Sequence, residues 1–367
     1  MGVSVYFGDD TALDFSWNEV TGAIGDSVTV LPIVVAVAVL SDLSLAVMLL
    51  WFGAFQIVWG LHYGVPVSVE PMKALAALII AGTITTGEFL LAGLLLGVVL
   101  LAIGATGSLE RVEQHVGSPV VRGIQLGVAL VLLETGLRLG AGDLRLAALA
   151  AGVALVPIAL GSRNLSALAV LVAGAGVAAL STGVPSPSLP APGGPLLFGV
   201  GDLTLPALEA AVGQLAMTVG NAALATSVLL GDYFDRDISA DELSASMGAM
   251  NLLAVPLGGL PMCHGSGGVA GKYAFGARTA AANVVLGIGY AAVAVLGVGL
   301  VAAYPVSMLG VILALVALQL GRTSLRRAEH YPVVIAVAVC GLVVNLGAAF
   351  VLGAVADALR RWIGSPA

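Results

Sequence analysis

Pro66-Val-Ser-Val-Glu70-Pro-Met-Lys73 and Pro261-Met-Cys-His264-Gly-Ser-Gly-Gly268 are the two stretches on which the fold turns. Each breaks an apolar segment with polar, Gly or Pro residues, and they occupy equivalent places in the two halves of the 367-residue chain. The sequence can be slid over itself, without a gap, by the 195 positions that separate Pro66 from Pro261. Gly25-Asp26 then falls on Gly220-Asn221, Asp42 on Asp237, Gly53-Ala54 on Gly248-Ala249, Gln56 on Asn251 and Gly64 on Gly259. Glycine and alanine matches are common in apolar chains. A register held from 25 to 66 that also carries Asp/Asn and Gln/Asn pairs is not. Broken apolar segments at corresponding places in two repeats point to a transporter's binding site.

The composition is that of a membrane protein. The chain is 59% hydrophobic with a mean hydropathy of +1.07, and 10% of its residues are charged, where a soluble domain carries roughly 25%. Apolar stretches recur along its whole length, so the lipid bilayer is its solvent throughout. Met1 to Asn18 holds no Lys or Arg and contains Asp9, Asp10 and Asp14, unlike a cleaved secretory signal with its basic start. Cys263 and Cys340 lie inside apolar segments and imply no disulfide framework. A net charge of −7 excludes a basic nucleic-acid footprint.

A helix needs about 20 apolar residues to cross a bilayer. That measure predicts spans at 19–40, 43–61, 65–83, 88–105, 119–139, 143–161 and 164–181 in a first repeat, 1–182. A Pro/Gly/Ser-rich linker, 183–203, separates it from a second repeat, 204–367, with spans at 204–231, 240–257, 259–277, 280–302, 305–321, 331–347 and 348–363. Seven is odd, so the second repeat enters from the opposite side: about 14 segments form a seven-plus-seven inverted repeat. One face of this topology collects Arg111, Arg122, Arg163, Arg236, Arg278, Arg322, Arg326, Arg327, Arg360 and Arg361, the other only Arg138 and Arg145. The basic face is predicted to be cytoplasmic, with both termini on it, in the cell membrane.

The cassettes carry the chemistry. Val65 to Val69 is a β-prone run, and Pro71 suits the first turn of a helix with Met72 to Ile80 as its body. Leu260 to His264 is the matching extended run, and Gly265 to Gly268 opens the helix that carries Lys272 and Tyr273. A helix that starts inside the membrane exposes unpaired N–H groups and the positive end of its dipole. Non-helical backbone at that depth must be buried in protein or line a cavity. Two inverted repeats aim two such helix starts at one point, which is an anion site. The expected binding set is Glu70, Pro71, Met72, Lys73, His264, Gly265, Ser266, Gly267 and Gly268. Lys73 and Lys272 raise the local potential, while Glu70, His264 or Asp26 are the candidate proton carriers. Asn221, in register with Asp26, supports the site. Glu70 and Lys73, three apart, also suit a pair on one helix face.

Gly64-Val-Pro-Val-Ser-Val-Glu-Pro-Met-Lys-Ala74 and the block Gly258 to Thr279, with its Cys-His-Gly-Ser-Gly-Gly core, resemble the two signatures of the molybdate-transporter branch of the sulfate permease superfamily. Gly22-Ala-Ile-Gly-Asp26, Val120-Val-Arg-Gly-Ile-Gln-Leu-Gly127 and Ser307-Met-Leu-Gly-Val311 resemble it too. The resemblance implies an all-α, uracil-permease-like fold. A core domain (19–105 plus 204–302) moves against a gate domain (119–181 plus 305–363). It also implies uptake of an oxyanion, molybdate before tungstate or sulfate. The chain departs from the usual pattern at Glu70, where the family has Gln, at Lys272-Tyr273-Ala274, where it has Gln-Tyr-Arg, and across Gln214 to Leu230.

Simpler roles stand beside these. Gly53, Gly123 and Gly127 suit close helix packing. Gly265 to Lys272 is no phosphate-binding loop, because Ser266 stands where the first glycine belongs and Tyr273 follows the lysine. Cys263 and His264 lack further metal ligands nearby, and Glu134 with Arg138 reads as a structural couple at a span end. No nucleophile–base set suggests an enzyme, and no cofactor is expected. The partners expected are the oxyanion, protons and the lipid bilayer, with a homodimer left open. A nucleobase permease of the same fold, or an uncoupled anion channel, are the alternatives.

Overall fold

In the computed structural model, residues 3–7, 11–109, 111, 117–183, 186–187 and 198–364 are described; Asp9, Asp10 and most of the Pro/Gly/Ser-rich linker lie outside them. The apolar segments are helical in the expected order. The first half holds α1 (Trp17–Leu40), α2 (Leu45–Tyr63), α3 (Lys73–Ala81), α4 (Thr86–Thr106), α5 (Ser118–Gly140), α6 (Leu144–Ala159) and α7 (Ser166–Thr182). The second holds α8 (Leu205–Phe234), α9 (Ala240–Ala254), α10 (Ser266–Ala274), α11 (Ala281–Leu296), the single turn α12 (Val298–Val301), α13 (Val306–Arg326), α14 (Tyr331–Val343) and α15 (Leu346–Gly364). Among the described residues, six helices are long and apolar enough to cross a membrane, or seven if the bent α1 is one span. The expected spans therefore match in position, while several of the helices are short. In the cassettes the reason is geometric: extended residues rise about 3.3 Å each against 1.5 Å in a helix, so a strand covers depth with fewer residues.

Strands form at three places. β1 (Val3–Phe7) and β2 (Thr11–Phe15) make an antiparallel hairpin that the all-α expectation did not include. The alternation of Thr11-Ala-Leu-Asp-Phe15 suits it: Leu13 is buried against Ala280 and Ala281, and the Asp14 N–H donates to Thr279 Oγ1 at 3.4 Å. β3 (Val69–Pro71) and β4 (Met262–His264) belong to the cassettes and pair antiparallel, as Val69↔His264, Glu70↔Cys263 and Pro71↔Met262. Both strands start later than the β-prone runs suggested. Val69 and His264 are also 195 positions apart, so the repeat register and the strand register intersect at this pair. The pseudo-two-fold axis relating the halves passes there.

The halves are interlocked. α2 packs on α11, and its counterpart α9 packs on α4. The repeat-related glycines serve both crossings: a methyl at Gly53 would lie 2.8 Å from Gly287 O, and one at Gly248 2.5 Å from Leu101 N. Packing is thus the role of Gly53, and Gly123 likewise faces Val337. α5 packs on α13 and α14. α1 bends by 43° between Val28 and Val30, because Pro32 supplies no N–H for the Val28 carbonyl one turn back. Asn345 ends the α14–α15 break as an N-cap, its Oδ1 accepting the Ala348 N–H at 2.7 Å. α8 carries a π-helical stretch, Thr218–Leu224, of the kind that gathers at functional sites.

Candidate functional site

The cassettes cross by backbone hydrogen bonds and present two helix starts side by side. The Met72 N–H donates to Pro261 O at 2.9 Å, and the Gly265 N–H to Ser68 O at 3.4 Å. Each half-helix begins two residues after its strand; Pro71, expected in the first helical turn, instead closes β3, and α3 starts at Lys73. The two starts are finished differently. On α3, the Ala74 and Leu75 N–H groups donate to Gln214 Oε1 of α8, at 2.8 and 3.4 Å. The Gln214 amide is itself fixed by donating to Thr218 Oγ1 at 2.9 Å. On α10, the Gly268 N–H donates to Glu70 Oε1 at 2.6 Å, and the other Glu70 oxygen pairs with Lys73. A neutral amide caps one helix and a carboxylate from the opposite cassette caps the other. Among the described residues, the N–H groups of Lys73, Ser266 and Gly267 carry no hydrogen bond.

Glycine is required at two of these positions. A Cβ on Gly265 would strike the Glu70 carboxyl group, and one on Gly268 would strike Ser68 Oγ and Asp26 Oδ1. Gly267 differs, since its Cβ would lie 3.7 Å from Glu70 Oε1, its sole neighbour within 4 Å. In the repeat register Glu70 and Lys73 correspond to Gly265 and Gly268, so one cassette supplies charge and the other the space that charge occupies.

A cavity of about 220 Å³ opens at the two helix starts. Lys73, Asn221, Ser266 and Gly267 form one wall, with the Ser266 hydroxyl donating to Asn221 Oδ1 at 3.1 Å. Gln125 of α5 and Gln319, Thr323 and Arg327 from α13 and its end form the facing wall. No carboxylate lines it. Free N–H groups at a helix start, a lysine and a hydroxyl make a surface for a small anion.

Behind the crossing lies a buried polar network. Lys272 and Asp26 are fully buried and paired at 3.1 Å. The Lys272 ammonium also donates to Gln56 Oε1 (2.8 Å), Val67 O (2.5 Å) and Asn283 Oδ1 (3.0 Å). Asp26 accepts from Ser68 Oγ at 2.7 Å and from Gln56 Nε2 at 2.8 Å. The repeat partner of Gln56, Asn251, clamps the second strand by exchanging hydrogen bonds with the Met262 backbone, at 2.7 and 2.8 Å. His264 is equally enclosed. Its Nδ1 faces the Ser68 carbonyl at 3.0 Å, which only accepts, so Nδ1 carries a proton and Nε2 takes the Ser246 hydroxyl at 2.7 Å.

Of the residues singled out from sequence, Lys73, Ser266, Gly267 and Asn221 line the cavity together. Glu70, Pro71, Met72, Gly265 and Gly268 build the crossing beneath it, while His264, Asp26 and Lys272 are held behind. Gln125, Gln214, Gln319, Thr323 and Arg327 were missed. Amides inside apolar helices were the signal available for the three glutamines, since buried polar groups in a membrane need a partner.

The model of a family described as "Molybdate transporter of MFS superfamily" matches residues 18–132 and 206–320, one stretch in each half. The chain belongs to this molybdate-transporter family. Molybdate transporter 2 of Arabidopsis thaliana is 30% identical, the match covering 84% of this chain and 78% of that protein. Molybdate transporter 1 of Chlamydomonas reinhardtii is 26% identical over 96% of this chain and 95% of its own. The transmembrane domain of a cyanobacterial bicarbonate transporter, BicA, superposes with a TM-score of 0.67 at 17% identity, covering 98% of each chain. SLC26A9 gives 0.69 at 13%, over 93% of this chain and 64% of that one. The family's description carries the words MFS superfamily, whereas the architecture is that of BicA and SLC26A9. The superpositions set the fold class as that of BicA and SLC26A9, a multi-pass membrane protein of inverted repeats.

Proposed function

We propose that this protein is a secondary transporter of a tetrahedral oxyanion, molybdate first, working by alternating access. One observation carries the proposal: a carboxylate-free cavity where Lys73, the Ser266 hydroxyl and the open N–H groups of two half-helix starts converge. The dianion sits against Ser266 and Gly267 and takes Lys73 as its counter-charge. Lys73 is held by Glu70 when no anion is bound, so protonating Glu70 frees the lysine for the incoming charge. That exchange is the coupling step: a proton on Glu70 and the anion on Lys73 travel together. His264 and Lys272, both enclosed in hydrogen bonds, serve as fixed structure.

The wall residues fall into the two groups expected to move relative to each other. Lys73, Asn221, Ser266 and Gly267 belong to the core unit (19–105 plus 204–302), and Gln125, Gln319, Thr323 and Arg327 to the gate unit (119–181 plus 305–363). A site shared by two units changes its opening when one slides on the other. The arginine-rich face is placed in the cytoplasm, with both termini there, in the plasma membrane.

The test is uptake of labelled molybdate by the purified protein in liposomes, with and without a pH gradient. Tungstate and sulfate in excess should compete and uracil should not. Competition by uracil, or uptake indifferent to the proton gradient, overturns the substrate class or the coupling respectively.

A further inference from the structure

A second polar cavity of about 290 Å³ adjoins the first and shares Gln319 and Thr323 with it. Its walls come from the end of α6, the Arg163–Leu165 turn, the start of α7 and one face of α13. On α13, Leu315, Leu318–Gln319, Arg322 and Arg326 recur at the three- and four-residue spacing of one helix face, so both guanidinium groups project the same way. Arg163 enters from the opposite wall. No carboxylate lines this cavity, and Arg163, Arg322 and Arg326 form no ion pair or side-chain hydrogen bond among the described residues. Three like charges around one hollow repel one another, and the protein places no counter-charge among them. A concave surface of one sign also concentrates ions of the other.

We infer that this hollow is a second oxyanion site, a vestibule in which Arg163, Arg322 and Arg326 hold a dianion on the basic face before or after it occupies the site at Ser266. The inference rests on the transport reading for the direction of traffic, but not for the site's chemistry, which is three unpaired guanidinium groups suited to tetrahedral oxygens. The shared Gln319 and Thr323 join the two cavities, so an anion passes between them along α13. A free oxyanion and the phosphate of an anionic lipid headgroup offer the same chemistry here.

Equilibrium dialysis of the purified full chain against labelled molybdate, in detergent at low ionic strength, tests it. Two molybdates should bind per chain, the weaker one falling away steeply as salt rises. R322Q/R326Q should weaken that second binding at least tenfold and leave the first unchanged, whereas S266L should remove the first and leave the second. R322K/R326K keeps the charge and should retain both, and R163Q gives an independent variant should the double one fold poorly. A single molybdate, lost in S266L and unaffected by R322Q/R326Q, overturns the vestibule while the transport reading stands. No bound molybdate at all overturns both. Adding anionic phospholipid separates the sources: displacement of the second molybdate assigns the site to a headgroup, and its retention assigns it to the free anion.

Discussion

Two lysine–carboxylate pairs flank the strand crossing, and they are put to opposite uses. Lys272 and Asp26 are both fully enclosed, with Gln56, Ser68, Asn283 and a backbone carbonyl meeting their remaining polar atoms. Glu70 is buried as well, yet its partner Lys73 has a side chain 18% exposed that reaches the cavity wall. A charge that is completely satisfied holds a fold together. A charge with one open side can change partner, and only such a charge can bind and release an anion.

The sharpest way to break that contrast is at the closed pair. Lys272→Met leaves Asp26 buried without its cation and should cost about 3–5 kcal/mol of stability, read as a large drop in the thermal unfolding temperature of the purified protein. Asp26→Asn in the same chain should recover part of the loss. A stable K272M protein that binds no molybdate would instead move Lys272 into the site.

Next in size is the glycine that separates the two pairs. Gly268→Ala drives a methyl into Ser68 and Asp26 and disturbs the Gly268–Glu70 cap; uptake should vanish and stability should fall by about 1–3 kcal/mol. Gly267→Ala, whose methyl meets nothing closer than 3.7 Å, should fold normally. Equal damage from both would mean that close approach is not what position 268 provides.

At the open pair the effects are smaller and fall chiefly on binding. Lys73→Met leaves the buried Glu70 without its cation, so the unfolding temperature should fall, though less than in K272M because the Gly268 N–H still meets Glu70, and the Kd for molybdate should rise at least tenfold, about 1.4 kcal/mol. Smallest is Glu70→Gln, since the amide oxygen still accepts the Gly268 N–H. On the proposed coupling, molybdate affinity of the parent protein should rise as pH falls. In E70Q that slope should flatten. A profile identical to the parent's clears Glu70 of proton coupling.

The sequence disclosed most of the fold because its decisive features are local. A β-prone run followed by Pro71, or by Gly265, announces a strand and a helix start without any knowledge of neighbours. The repeat register even fell on the strand pair Val69–His264. What stayed hidden depends on who sits opposite. His264 reads as a titratable site residue in isolation, and its enclosure by Ser246 and the Ser68 carbonyl, neither of them adjacent in sequence, is visible only in the fold. Gln214 caps α3 from 140 residues away. Gln125, Gln319, Thr323 and Arg327 become a wall only once α5 and α13 stand against the half-helices. The N-terminal hairpin is five residues a side, too short for its alternation to stand out from an apolar background.

The antiparallel pairing of β3 with β4 has a mechanical consequence. Backbone hydrogen bonds from Met72 to Pro261 and from Gly265 to Ser68 rivet the two half-helices into one piece. On the proposed reading, an anion held between their ends is not handed from one half-helix to the other by spreading them apart, because that would tear main-chain bonds in a buried interior. On the same reading, the motion that turns the cavity from one side of the membrane to the other moves both helix ends as a single rigid jaw, with the ion aboard as cargo.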